Sequence, residues 1–147
     1  MKKRIVVAGA GGFIGGHLVH KLLDDGHTVR VVDIKPTNRW YQKDPRAENV
    51  VLDLRDRQNC VQALNGFEEV FNLAADMGGI GFIETQRAAC MLSVLINTHL
   101  LMAAKEVGIT RYFYSSSACV YNASKQTDSN NPGLKETDAY PAMPEDG

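Results

Sequence analysis

Four groups of residues in this chain carry side chains or backbone suited to chemistry. The first is Val7-Ala8-Gly9-Ala10-Gly11-Gly12-Phe13-Ile14-Gly15. An apolar run, a glycine turn and an amphipathic run in that order form a site for a phosphate-bearing ligand. Glycines let the backbone turn sharply and approach a ligand, and a helix N-terminus offers free N–H groups and partial positive charge. Out of this context such a cluster is a plain turn; in it, dinucleotide binding is the stronger reading, with Gly9, Gly11, Gly12, Phe13, Ile14 and Gly15 as its contacts. The second group is Asp33, 24 residues after Gly9. A carboxylate there accepts the hydroxyls of an adenosine ribose and repels a 2′-phosphate, which favours NAD over NADP, although Lys35 stands nearby. The third is Asp53-Leu54, a carboxylate and an apolar side chain that could flank an adenine, or else a turn before a helix cap. The fourth comprises two strand ends: Asn72-Leu73-Ala74-Ala75, whose small residues allow a ligand against the backbone, and Ser115-Ser116-Ser117-Ala118-Cys119-Val120-Tyr121, with hydroxyls and a thiol. His17, His20, His27 and His99 show no metal-ligand spacing, so no metal is expected.

The elements that must position these groups alternate. The pattern predicts strands over Arg4 to Ala8, Thr28 to Asp33, Asn49 to Asp53, Glu69 to Ala74 and Arg111 to Ser115. It predicts helices from Phe13 to Asp25, from Asp56 through Leu64, and from about Glu84 to Val107. Residues 34–48 and the tail from Ser116 to Gly147 read as loop. Such alternation implies right-handed crossovers and an α/β fold, a Rossmann-type doubly wound parallel sheet in the order 3-2-1-4-5, with the ligand crevice between strands one and four. About 30 residues of loop after strand five are unusual in a compact domain. The 147 residues are therefore expected to be one incomplete NAD-binding domain, truncated before later strands and a substrate domain.

Composition narrows the partners. The chain is 44% hydrophobic and 22% charged with a net charge of −1, which offers no basic surplus for nucleic acid. No apolar run is read as reaching the roughly 18–20 residues of a membrane span. Three cysteines, Cys60, Cys90 and Cys119, without a close pair, point to a reducing, cytoplasmic setting. The long helix carries apolar residues on more than one face, among them Met91, Leu92, Val94, Leu95, Leu100 and Leu101, as buried or interfacial helices do.

Taken together, Gly9-x-x-Gly12-x-x-Gly15, Asp33, Asp53-Leu54, Asn72-x-Ala74-Ala75 and Ser117-x-x-x-Tyr121 resemble the extended short-chain dehydrogenases/reductases, the nucleotide-sugar epimerase and dehydratase group. The segments 71–83, 114–121 and 134–142 resemble the GDP-mannose 3,5-epimerase family in particular, through Met77-Gly78-Gly79-x-Gly81 and Ser117-Ala118-Cys119. The resemblance implies NAD as cofactor and a GDP-mannose-like nucleotide sugar as substrate, epimerised through a transient 4-keto sugar. It implies Ser117 and Cys119 as catalytic and substrate-contacting residues, with Met77, Gly78 and Gly79 lining the sugar pocket. It implies Asn97 as a support for the active site, and a homodimer through the helix at 84–107. The family's Tyr-x-x-x-Lys pair is missing at its expected place; Tyr121 and Lys125 fit the spacing, but Tyr121 belongs to the strand-five motif and the resemblance implies a pair on a following helix. The chain is thus expected to stop one residue short of the family's catalytic tyrosine. Two other readings stay open: a nucleotide-sugar 4-epimerase or 4,6-dehydratase, and a non-catalytic dinucleotide-binding module.

Overall fold

The computed structural model describes residues 1–76, 81, 85–117, 120–122, 125 and 133–140. Two compact units divide the chain, Met1–Ser115 and Ser116–Gly147. The first unit holds strands β1 (Arg4–Ala8), β2 (Thr28–Asp33), β3 (Glu48–Val51), β4 (Glu69–Asn72) and β5 (Arg111–Tyr114). Its helices include α1 (Phe13–Asp24), α2 (Arg57–Leu64) and α3 (Arg87–Val107). All strand pairs are parallel, in the order β3-β2-β1-β4-β5.

β1 lies in the middle because it is apolar on both faces, as a parallel strand covered by helices must be. Its alternate residues serve two cores. Ile5 and Val7 pack with Val29 and Val31 beneath Val19 and Leu22 of α1. Val6 and Ala8 pack with Val32 and Val70 beneath Leu64 of α2 and Leu100, Ala103 and Ala104 of α3. Fully burying such a side chain stabilises the fold by roughly 1.5–3 kcal/mol. Charged groups fix the helix ends. Asp56 caps α2 by accepting from the Gln58 N–H at 2.7 Å. At its other end the Arg30 guanidinium donates to the carbonyls of Gln62, Ala63 and Asn65 at 3.1, 2.8 and 3.3 Å. It also lies over the Phe67 ring and pairs with Glu48 at 3.0 Å. A cation on unpaired helix carbonyls is favourable, so β2 holds the end of α2 directly.

Several expectations move. β3 starts one residue earlier and leaves the ladder after Val51; the Leu52 N–H instead donates to the Asp33 carbonyl at 3.1 Å. β4 stops at Asn72, because that side chain takes the Ala74 N–H at 3.1 Å. β5 stops at Tyr114 and α1 at Asp24. The stretch 34–48 is not plain loop. It holds a 3₁₀ turn at Thr37–Arg39 and buries Trp40 and Ala47 in the α1-side core. Its far end is clamped to α1 by Arg46, which pairs with Asp44 at 2.6 Å and Asp24 at 2.8 Å. A second 3₁₀ turn, Glu136–Ala139, lies in the tail unit. The expected start of the long helix at Glu84 lies outside the described residues.

By length and composition α3 is apolar enough to cross a membrane, contrary to the reading from the sequence. Its inner face is nonetheless built into the sheet: Leu100 and Ala103 are fully buried and Asn97 bonds to strands β4 and β5 through Asn72 and Tyr114. Its outer face leaves Met91, Val94, Leu95, Leu101 and Met102 exposed. These positions recur at helical spacing and form an apolar stripe.

Candidate dinucleotide site

β1 ends at Ala8 and the chain turns through Gly9 into α1. Gly9 sits at φ 78°, and a Cβ there would lie 2.7 Å from the backbone of Leu73 and Ala74. A side chain is therefore excluded on both counts, conformational and steric. A Cβ on Gly15 would lie 2.5 Å from Ala10 Cα, so this glycine lets the helix start against the turn. A Cβ on Gly11 would meet Trp40 and the Asp33 carboxylate. Gly12 differs: among the described residues its Cβ would meet only the Gly9 carbonyl within 4 Å, at 3.4 Å. Gly12 is the N-cap of α1, in extended conformation and with no side-chain cap, and no acidic residue stands in the first turn. The N–H groups there are the ones an anion would take.

Two cavities flank this turn, and Gly9 and Gly12 line both. The first, of about 410 Å³, is walled by Asp33, Ile34 and Lys35 on one side, by Leu52, Asp53, Leu54 and Arg55 on another, and by Leu73 to Asp76 beneath. The second, of about 560 Å³, is lined by Phe13, Ile14, Gly15, Leu18, Phe71, Leu73, Phe113 and Ser115. Phe13 and Ile14 are exposed there, and Phe13 packs edge-on against His17 and Tyr41.

Asp33 is buried at the end of β2. Its Oδ2 accepts from the Gly11 N–H and its Oδ1 from the Lys35 N–H, both at 2.9 Å. Each oxygen keeps a lone pair for a ligand hydroxyl. Asp53 is gripped by Arg55, whose Nε stands 2.9 Å from both carboxylate oxygens; that hydrogen bonding holds the carboxyl below its ordinary range. Leu54 lines the cavity with one edge while its side chain belongs to the core beside Cys60. Burial raises the Cys60 thiol to about 11, which makes it a packing group and a poor nucleophile.

Asn72 does not line either cavity. It is 1% exposed and joins three elements: its Nδ2 donates to Asn97 Oδ1 at 2.9 Å and the Tyr112 hydroxyl at 3.0 Å, and its Oδ1 holds the Ala74 N–H. Asn97 in turn donates to the Tyr114 hydroxyl at 3.2 Å. Asn72 thus shapes the wall that Ala74 and Ala75 present, rather than touching what lies against it. Ser117 is in the tail unit, where its carbonyl accepts from the Val120 N–H at 3.3 Å. In the same unit Lys125 pairs with Asp138 at 2.6 Å and the Tyr121 hydroxyl donates to Glu136 at 3.4 Å. Cys119, Met77, Gly78 and Gly79 lie outside the described residues. Reading by motif missed Trp40, Lys35 as a structural group, and Gly16, whose absent Cβ leaves room for the Gln42 side chain.

The residues fit a dinucleotide. An uncapped helix end, a glycine facing open space, a buried carboxylate with free lone pairs and one cavity on each side of the turn match its two nucleosides joined by a pyrophosphate. The fold and site together are those of a Rossmann-type dinucleotide-binding domain.

Within that class, residues 5–144 match the NAD dependent epimerase/dehydratase family, and the chain belongs to it. NAD is the cofactor of this family. The chain is 43% identical over 146 residues to GDP-mannose 3,5-epimerase 1 of Oryza sativa subsp. japonica, covering 99% of this chain and 38% of that protein. Among solved structures it resembles MoeE5 in complex with UDP-glucuronic acid and NAD, at 33% identity and a TM-score of 0.71, covering 81% of this chain and 38% of the other. It also resembles UDP-N-acetylglucosamine 4-epimerase from Methanobrevibacter ruminantium M1 in complex with UDP-N-acetylmuramic acid, at 29% identity and a TM-score of 0.74, covering 94% and 44%. The chain spans less than half the length of each of these proteins.

Proposed function

We propose that this chain supplies the NAD-binding part of a nucleotide-sugar epimerase of the GDP-mannose 3,5-epimerase kind. The observation that carries the reading is the uncapped turn at Gly12 between two cavities, with Asp33 buried at the wall of one of them. The 43% identity to the rice enzyme over nearly the whole chain supports the choice of substrate class. Gly11, Gly12, Phe13, Ile14 and Gly15 would hold the pyrophosphate through main-chain N–H groups, and Asp33 the adenosine ribose. Asp53, Leu54, Ala74 and Ala75 would bound the adenine side, and Ser115 the mouth of the second cavity. When bound, NAD supplies a hydride acceptor at C4 of the sugar that is restored within the turnover.

In this reading a 4-keto sugar forms transiently, which acidifies the C3 and C5 protons. Ser117 hydrogen-bonds the C4 oxygen. Cys119 is one member of the acid/base pair, since a thiol of unperturbed pKa ~8.5 both gives and takes a proton near neutrality. Met77, Gly78 and Gly79 line the sugar pocket. The exposed stripe of α3 joins two copies in a homodimer, and the protein works in the cytoplasm.

Two measurements test this. Calorimetric titration of the chain with NAD should give a saturable isotherm that Asp33→Ala weakens by tenfold or more; no binding refutes the cofactor reading. In a protein that turns over GDP-mannose, solvent deuterium should enter C3 and C5, and Cys119→Ala should suppress it. Exchange at neither carbon would leave a 4-epimerase as the better assignment.

A further inference from the structure

The stretch 34–48 has no periodic pattern, yet its middle is among the most tightly bonded parts of the site. Lys35 is its hub. The Lys35 main-chain N–H holds Asp33 Oδ1 at 2.9 Å. The Lys35 carbonyl accepts from the Trp40 indole Nε1 at 2.7 Å. The Lys35 ammonium donates to the Gly11 carbonyl at 3.1 Å, beside the Tyr41 N–H at 3.0 Å. Trp40 is 8% exposed, and its Cδ1 lies 2.7 Å from where a Gly11 Cβ would be, so the indole edge lies over Gly11 itself. Residues 35–41 therefore form a closed strap around the Asp33–Gly11 contact.

We propose that Trp40 and Lys35 are positioning residues that set the dinucleotide selectivity of this site; the inference rests on the reading of the site as a dinucleotide site. Two consequences of the strap act together. The Asp33 carboxylate is held in one orientation by the Gly11 and Lys35 N–H groups, with its charge at the cavity wall where a ribose hydroxyl would lie. The Lys35 ammonium, which could otherwise neutralise a 2′-phosphate, is engaged by the Gly11 carbonyl. Arg55, the other cation lining that cavity, is engaged by Asp53. A 2′-phosphate thus meets a fixed anion while the two cations described at that cavity are turned to other partners, whereas a 2′-hydroxyl meets an acceptor. Loss of the indole removes the donor on the Lys35 carbonyl and the cover on Gly11. Both the carboxylate and the ammonium are then released.

The test is the ratio of NADP to NAD dissociation constants, measured by titration of the purified chain and of Trp40→Leu, Trp40→Phe, Lys35→Met and the Trp40→Leu/Lys35→Met double variant. Trp40→Leu should raise the NAD constant about tenfold and lower the NADP constant, a collapse of the ratio by roughly thirtyfold or more, equivalent to about 2 kcal/mol. Trp40→Phe, which keeps the bulk and loses the Nε1 hydrogen bond, should fall between. The double variant should lose the gain in NADP binding, because the released ammonium is what accepts the phosphate. Trp40 variants that melt lower but keep the wild-type ratio overturn the proposal and leave Trp40 a packing residue. Should Trp40→Leu fail to fold, Trp40→Phe decides the matter by the same ratio; Lys35→Met alone, which keeps both main-chain contacts of Lys35, should leave the ratio near that of the parent. If the unmodified chain binds neither dinucleotide, the site reading itself fails and this inference with it; if it binds NAD and the ratio is insensitive, only the inference fails.

Discussion

Replacing the glycines of the turn by alanine one at a time separates the residues the chain needs for itself from the one it keeps for a ligand. Gly15→Ala sets a Cβ 2.5 Å from Ala10 Cα and 2.9 Å from the Gly9 carbonyl oxygen. Both are backbone atoms, so no rotamer relieves the contact, and overpacking of this kind costs about 1–3 kcal/mol. Gly9→Ala adds a left-handed backbone at φ 78° to a 2.7 Å clash with Leu73 and Ala74. The conformation alone costs roughly 1–2 kcal/mol, for a total of about 3. Gly12 is extended, at φ −86° and ψ 174°, a conformation alanine adopts freely, and its Cβ would touch only the Gly9 carbonyl at an ordinary distance. The expected cost is the loss of a glycine N-cap, about 0.5–1 kcal/mol. At roughly 2–4 °C per kcal/mol for a chain of this size, Gly12→Ala should melt within about 4 °C of the parent, and Gly9→Ala about 6–12 °C lower. Binding should rank differently. The Gly12 Cβ projects into the space shared by both cavities, so Gly12→Ala should weaken NAD by more than about tenfold, or 1.4 kcal/mol, while the fold stays intact. Scanning calorimetry and NAD titration on the same samples make the comparison. The reasoning fails if Gly12→Ala melts as low as Gly15→Ala, or if it binds NAD within twofold of the parent.

Three further outcomes follow from other contacts. Asn72→Ala takes away the partner of the Ala74 N–H, the Asn97 Oδ1 and the Tyr112 hydroxyl in a part-buried setting, and urea unfolding should show a loss of about 3 kcal/mol; a loss under 1 would mean that water replaces the side chain. Arg46 hydrogen-bonds Asp44 and holds that carboxyl well below its ordinary value, so the pair stabilises the fold above the unfolded carboxylate pKa of about 3.9 and the contribution fades as pH falls toward the folded value. Asp44→Asn should therefore lower the melting temperature fully at pH 7 and progressively less below pH ~4; a pH-independent difference contradicts the ion pair as the cause. Leu101→Glu on the exposed stripe of α3 should turn the proposed dimer into a monomer by sedimentation while circular dichroism shows the fold of the monomer retained, since Leu101 is 56% exposed in the single chain. A parent chain that sediments as a monomer refutes the interface.

What the sequence determines here is what is encoded locally or by period. The order of strands and helices, the sheet order and the two-faced burial of β1 follow from apolar periodicity and from the handedness of crossovers. The glycine turn and Asp33 are legible because a missing Cβ and a strand-end carboxylate have physical consequences wherever they occur in that context. Tertiary structure alone decided the rest, since those roles arise between residues far apart in the chain. Trp40 stands in an aperiodic stretch, and nothing local says that its indole will cover Gly11, 29 positions earlier. Asn72 reads as a strand-end residue of the site until α3 and β5 close around it, bury its side chain and take its amide nitrogen. Arg30 stands inside a strand with no motif around it, and only folding brings the end of α2 to its guanidinium. In each case a side chain meets a group that only folding brings near, and for Asn72 and Arg30 the cost of leaving a buried polar group unpaired makes that meeting obligatory.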